Sequence, residues 1–274
     1  MKNAFTLNPN FSKPYALMDL DDTLFQTLRK IEAWALPSDS LTIASVNKQG
    51  EPLSYFTPKQ AAFFNWLYHT TELIPVTARD TTEIKRVTLP FASWQVLTHG
   101  AIILDNKGNH LVMWQQHMAE TLTPMQAVIV AIHDFIEKNF SHSKLQLTIH
   151  QENFSHAFNS NLKSTTDSKL AVYLAIKQVD KDPNVLQNLV NCLPAQFPQF
   201  SDYFYSHMNA NNVAILPHAV HKRYAVQFLL DNYFDKNRAN FGFGDSLADL
   251  PFLQQLDWDG TASRGQLHEY FKAN

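Results

Sequence analysis

Three carboxylates, Asp19, Asp21 and Asp22, fall within four positions in "YALMDLDDTL" (15–24), directly after an apolar run. Asp19 and Asp21 are two apart, so in extended chain their side chains share a face. Left alone, such a pair raises one carboxyl pKa and destabilises the fold; a cation relieves both effects. A second pair, Asp245 and Asp249, lies in "FGFGDSLADLPF" (241–252). Pro251 is tolerated only in the first turn of a helix, so the spacing predicts a helix start near 248–250, with both acids in the strand-to-helix turn. An oxygen-rich, thiol-free set suits a hard cation, with Mg²⁺, waters and a substrate phosphate the usual company. Two further residues suit an anion. Thr77 ends "LIPVT" with a hydroxyl and exposed backbone N–H groups, and Lys222 adds a point charge able to neutralise a phosphoryl group.

Such residues need a scaffold that brings them to one edge. Residues 15–18, 73–76 and 240–243 are short apolar runs without alternation, the pattern of strands covered on both faces in an α/β sheet. Ligands of open α/β sheets bind at the carboxyl ends of the strands, where all four of the paired acids would stand. Thr57-Pro58-Lys59-Gln60 combines an N-cap, a first-turn proline and a capping-box glutamine, which predicts a helix through "AAFFNWLYHT". The same signature at Thr123-Pro124-Met125-Gln126 predicts a helix from there through about Asn139. Two segments, 41–56 and 101–114, read as hairpins around Gly-containing turns.

From about 117 to 213 the pattern becomes that of an antiparallel α+β unit: one helix, strands near 145–150, 154–158 and 170–177, a helix near 183–192, and strands near 202–207 and 212–216. Beyond it "HKRYAVQFLLDNYF" reads as a helix and the α/β pattern resumes. The expected organisation is a Rossmann-like α/β core of 1–116 and 214–274 with a mainly parallel sheet, interrupted by an α+β insert at 117–213.

Composition limits the function classes. The 274 residues are 45% hydrophobic and 12% aromatic, enough for a sizeable core. A net charge of -3 without any run of Lys or Arg argues against a nucleic-acid partner. Cys192 is the only cysteine, which excludes an internal disulfide and fits a reducing compartment. No apolar stretch approaches the roughly 20 residues of a membrane span, and "MKNAFTLNPNFSKPY" has no apolar leader core, so a soluble, cytoplasmic protein is expected. Patterning says nothing about oligomeric state.

Taken in order, "DLDDT" (19–23) after an apolar strand, Thr77 in "PVTAR", Lys222 and "GDSLAD" (244–249) resemble the four motifs of the haloacid dehalogenase superfamily of phosphotransferases. The resemblance implies that Asp19 is the nucleophile, forming an aspartyl phosphate, and that Asp21 is the general acid and base. It further implies that Thr77 and Lys222 hold the phosphoryl oxygens. Asp19, the backbone carbonyl of Asp21 and Asp245 would ligate Mg²⁺, with Asp249 as a further ligand or its support. An insert between Thr77 and Lys222 resembles the large α+β cap of the sugar-phosphatase, Cof-like branch, and "LTHGAIILDNKG" (97–108) resembles that branch's segment leading into the cap. His99 stands where those relatives usually carry Asn, and Arg223 where Gly usually follows the Lys.

The implied activity is Mg²⁺-dependent hydrolysis of a small phosphomonoester, with sugar phosphates among the candidates. A phosphomutase using the same aspartyl phosphate, and a non-catalytic regulatory protein that binds phosphometabolites, are the other readings. Residues 244–247 also spell Gly-Asp-Ser-Leu, the block of a serine esterase family, but the only later histidine, His268, lacks the Asp three residues before it, so Ser246 has no base. The twelve histidines, His117, His156, His207 and His218 among them, show no HExxH-type pair and read as surface or core residues.

Overall fold

The computed structural model describes residues 12–155 and 169–273. Along the first part of the chain run β1 (Tyr15–Met18), β2 (Gln26–Thr27), α1 (Leu28–Ala33), β3 (Thr42–Val46), β4 (Pro52–Phe56), α2 (Pro58–Thr70) and β5 (Glu72–Pro75). Next come β6 (Gln95–Leu97), β7 (Ile102–Leu104), α3 (Val112–Leu122), α4 (Gln126–Asn139), β8 (Leu145–Asn153), β9 (Lys169–Gln178), α5 (Pro183–Gln196) and α6 (Phe200–Tyr203). The last are β10 (Phe204–Asn209), β11 (Asn212–Pro217), α7 (Lys222–Asn232), β12 (Asn240–Gly244), α8 (Leu250–Leu253), β13 (Trp258–Thr261) and α9 (Gln266–Ala273). The chain forms two compact units, one of Met1–Pro75, Thr88–Ser93 and Gln227–Asn274, the other of Val76–Val87 and Trp94–Val226.

The first unit is built on a parallel sheet of order β13-β12-β1-β5. Its central strand follows from its sequence: Ala16, Leu17 and Met18 are fully buried, as an unalternated apolar run in a two-sided sheet requires. Helix α2 starts where its capping box predicts. The Thr57 hydroxyl accepts from the Gln60 amide, and the Gln60 side chain accepts from Thr57 N at 3.0 Å. The predicted hairpin at 41–56 is β3 and β4, to which β2 adds a third antiparallel strand.

The second unit holds the antiparallel sheet β10-β11-β9-β8. One face carries Leu174, Ile176, Val213 and Ile215, packed with Ile129, Ile132 and Ile136 of α4 and Leu186, Leu189 and Leu193 of α5. Strand alternation turns Tyr173, Ala175 and their partners His150 and Ala214 to the other face.

Several expectations require correction. Thr123 is not an N-cap, because α3 already ends there: its backbone is helical, its hydroxyl donates to Ala119 O at 2.7 Å, and a short 3-10 turn links α3 to α4. The 101–114 hairpin keeps its turn and a short second arm, with Leu104 bridged to His110 and Leu111 N donating to Ile103 O. That arm forms no full strand: the strand partner of β7 is β6, and Val112 onward is helical. Residues 200–203, partly expected as strand, form α6. Of the strand expected at 154–158, residues 154 and 155 are irregular and 156–158, His156 included, lie outside the described residues. Among the described residues no helix is long and apolar enough to cross a membrane.

Candidate active site

Parallel pairing aligns Met18 with Phe243, and the Asp19 amide continues the ladder by donating to Phe243 O at 3.0 Å. The two chains therefore leave the sheet side by side, which brings sequence-distant acids to one edge. Carboxylate oxygens of Asp19, Asp245 and Asp249 lie within 4.8 Å of one another, and all three residues are buried. Three buried carboxylates this close repel strongly unless a cation joins them, and a donor set of oxygens alone fits a hard divalent ion. The acids are held from behind. Thr23 Oγ1 donates to Asp19 Oδ2 at 3.0 Å, and Asp249 Oδ2 accepts from both Ser246 N at 3.0 Å and Ser246 Oγ at 2.8 Å.

Asp21 and Asp22 lie on a turn closed by Leu24 N donating to Leu20 O and Asp22 N donating to Phe25 O. Asp22 is left-handed at φ 64°, a conformation its short polar side chain tolerates, and its carboxylate pairs with Lys30 at 2.9 Å. Burial raises the Asp22 carboxyl, against the opposing pull of Lys30. Asp22 thus stands outside the three-carboxylate cluster, while Asp21 stays partly exposed.

Two glycines give the acids room. A Cβ on Gly244 would stand 2.5 Å from Asp249 Cβ, and one on Gly265, at φ 102°, would stand 2.9 Å from Asp245 O. The Gly244 contact lies within "GDSLAD", whereas the Gly265 contact with Asp245 crosses twenty residues and no local pattern marks it.

Thr77 and Lys222 belong to the second unit, where they flank one turn. The Thr77 amide donates to Val96 O at 2.9 Å, its hydroxyl accepts from Arg79 N at 3.2 Å, and its carbonyl accepts from His99 N at 3.1 Å. On the other side, Gly100 at φ 98° packs so closely that a Cβ there would lie 2.7 Å from His221 O and 3.0 Å from Lys222 N. Lys222 is buried, unlike the solvated lysines that dominate most surfaces.

By sequence, residues 71–259, more than half of the chain, match the family model described as haloacid dehalogenase-like hydrolase. The chain belongs to the haloacid dehalogenase-like hydrolases. Thr77, Lys222, Asp245 and Asp249 lie inside the matched segment, and Asp19 and Asp21 precede it. No curated protein matches the chain. Solved structures share the fold. The sucrose-phosphatase of Synechocystis, in complex with sucrose and phosphate, is 14% identical with a TM-score of 0.55, the match covering 96% of this chain and 88% of that one. The C-terminal domain of trehalose-6-phosphate phosphatase from C. albicans is 12% identical with a TM-score of 0.56, covering 88% and 73%. A haloacid dehalogenase-like hydrolase from Bacteroides thetaiotaomicron is 12% identical with a TM-score of 0.50, covering 91% and 94%.

Within this hydrolase, His99 explains its own departure from Asn. It is left-handed at φ 55° and ψ 22°, a region that Asn, Asp and His enter more readily than other side chains do. Its ring packs edge-on against Tyr173, with centroids 4.9 Å apart. Burial first, then the charges of Lys222, His207, His150 and His221, hold its pKa well below the usual 6.5. Below pH 6.5 the unfolded chain therefore binds more protons at this position than the folded chain, so His99 costs stability as pH falls, by up to about 1.4 kcal/mol per unit. His99→Asn keeps the left-handed turn and removes the titration. Urea midpoints measured near pH 5 and pH 7.5 are expected to differ less in the variant than in the wild type. An unchanged difference would contradict this assignment.

Proposed function

We propose that the chain is a Mg²⁺-dependent phosphatase of a small phosphorylated metabolite, working through an aspartyl phosphate on Asp19. The observation that carries this reading is the convergence of buried Asp19, Asp245 and Asp249 at the ends of adjacent parallel strands. Asp19 attacks phosphorus as the ester bond breaks, and Asp21 gives its proton to the departing oxygen. Asp21 then takes a proton from the water that attacks the same phosphorus, and Asp19 is released as a carboxylate. Thr77 and Lys222 hold the phosphoryl oxygens, Lys222 as a point charge. Asp19, the backbone carbonyl of Asp21, Asp245 and Asp249 hold the Mg²⁺, which when bound supplies electrostatic stabilisation of charge on the transferring group.

We assign residues 1–116 and 214–274 to the catalytic core and 117–213 to the cap that selects the leaving group. Likeness to sucrose- and trehalose-6-phosphate phosphatases supports sugar phosphates as the first class to test. A lone free cysteine, Cys192, supports a reducing, cytoplasmic setting. Phosphate release from a panel of small phosphomonoesters tests the proposal. Release is expected with Mg²⁺ and lost with a chelator, whereas equal release in both would overturn the metal assignment. No release from any member by the folded protein would shift weight to a mutase or a binding protein.

The same metal reading predicts a stability effect. Mg²⁺ at about 100 times its dissociation constant should stabilise the fold by ~2.7 kcal/mol, because it binds the folded acids and not the dispersed ones. Thermal unfolding with Mg²⁺ or chelator reads this directly. A melting temperature indifferent to Mg²⁺ would contradict a metal held by the three carboxylates.

A further inference from the structure

Glu152, on the strand β8, is buried, and every donor it meets comes from a distant loop. Its Oε1 accepts from Thr81 N at 3.0 Å and from Thr98 Oγ1 at 2.5 Å, and its Oε2 accepts from Thr81 Oγ1 at 2.7 Å. These contacts span 71 and 54 residues of sequence. Two positions earlier on the same strand, His150 Nδ1 meets Asp80 Oδ2 at 3.1 Å, so β8 grips the loop after Thr77 at two points.

Thr98 makes this arrangement unusual. It is left-handed at φ 52°, where a β-branched residue is strongly disfavoured, so something must hold it there. The buried carboxylate of Glu152 does so through its hydroxyl. The held turn then makes the contacts that define the anion side: Thr98 N donates to Arg79 O at 2.8 Å, His99 N donates to Thr77 O, and Gly100 packs against the His221–Lys222 backbone.

We infer that Glu152 is a positioning residue for phosphate: one carboxylate fixes both the loop that carries Thr77 and the turn against which Lys222 rests. The inference rests on the phosphatase reading, in which Thr77 and Lys222 bind the phosphoryl group.

Inorganic phosphate, titrated calorimetrically into the full chain in Mg²⁺, is the probe. Glu152→Leu leaves both threonine hydroxyls and the Thr81 amide without their acceptor and is expected to weaken phosphate binding about tenfold. Glu152→Gln is expected to restore binding to near the wild-type value, because its carbonyl accepts from Thr98 and Thr81 N while the Thr81 hydroxyl turns to accept from its amide. Thr98→Gly reads the mechanism, since glycine holds a left-handed turn without help. In that background Glu152→Leu should cost no more than about threefold. Thr81→Val, on a partly exposed residue, reports the same loss on a smaller scale if Glu152→Leu fails to fold. Wild-type affinity in both Glu152→Leu and Thr81→Val, or an equal loss with and without Thr98→Gly, would overturn the inference. A folded wild type that binds no phosphate would instead overturn the phosphatase reading beneath it.

Discussion

Asp19→Asn is expected to lower turnover by at least about a thousandfold while leaving the fold intact. An amide is isosteric with the carboxylate but is not a nucleophile toward phosphorus, so no aspartyl phosphate forms. Its structural consequence has the opposite sign. Asp19 shares a buried site with Asp245 and Asp249, and removing one of three like charges relieves repulsion when no cation is present. In chelator, the variant's melting temperature should therefore equal or exceed that of the wild type. Loss of turnover together with a raised or unchanged melting temperature separates a chemical role from a structural one. Retained hydrolysis in a folded Asp19→Asn protein would remove Asp19 from the mechanism.

The second large effect is expected at Gly100. Gly100→Ala places a methyl group 2.7 Å from His221 O and 2.9 Å from its carbonyl carbon, both backbone atoms that cannot swing aside as a side chain can. The left-handed backbone at φ 98° adds strain for any residue with a Cβ. Together these should cost about 3–5 kcal/mol, the range in which a specific steric mechanism is required. Relief of the clash moves the chain at Lys222, so phosphate binding should weaken with it. Gly108→Ala supplies the control: it too has a positive φ, 78°, but its Cβ would meet nothing within 4 Å. That change should cost only about 1 kcal/mol. Equal costs for the two variants in urea unfolding would show that close approach at Gly100 does not matter.

The parts of this protein that were legible in its sequence are those where a local pattern has no local rival. Strand β1 is a continuous apolar run, β5 is one after its leading Glu72, and α2 opens on a capping box that both partners complete. The identical signature at Thr123 failed because another helix reaches it first. Helix α3 begins at Val112, and its N-cap residue, Leu111, offers no side-chain cap, so nothing in the sequence marked its start; once α3 is present the Thr123 hydroxyl bonds back into it. In 101–114 the chain after the turn reads "HLVMW", a short apolar run that suits a strand or a helix equally, and from Val112 it is helical.

The site divides in the same way. Asp19, Asp245 and Asp249 were marked by type and spacing, and their carboxylates come together. Glu152, Gly100 and Gly265 did not, because each acts through backbone or side chains far away in sequence, and no motif encodes those approaches. His99 was noticed only as a departure from Asn. Its left-handed backbone shows that the substitution preserves the conformation while adding a buried imidazole.

A covalent phosphoryl group on Asp19 can be trapped and mapped. Acid-quenching the Mg²⁺-loaded protein during turnover of a preferred phosphomonoester, followed by peptide mass spectrometry, is predicted to place one phosphoryl group on the peptide that carries Asp19 and none on that peptide from Asp19→Asn. Continued phosphate release with no phosphoryl group on Asp19, trapped instead on another side chain or absent altogether, would contradict it.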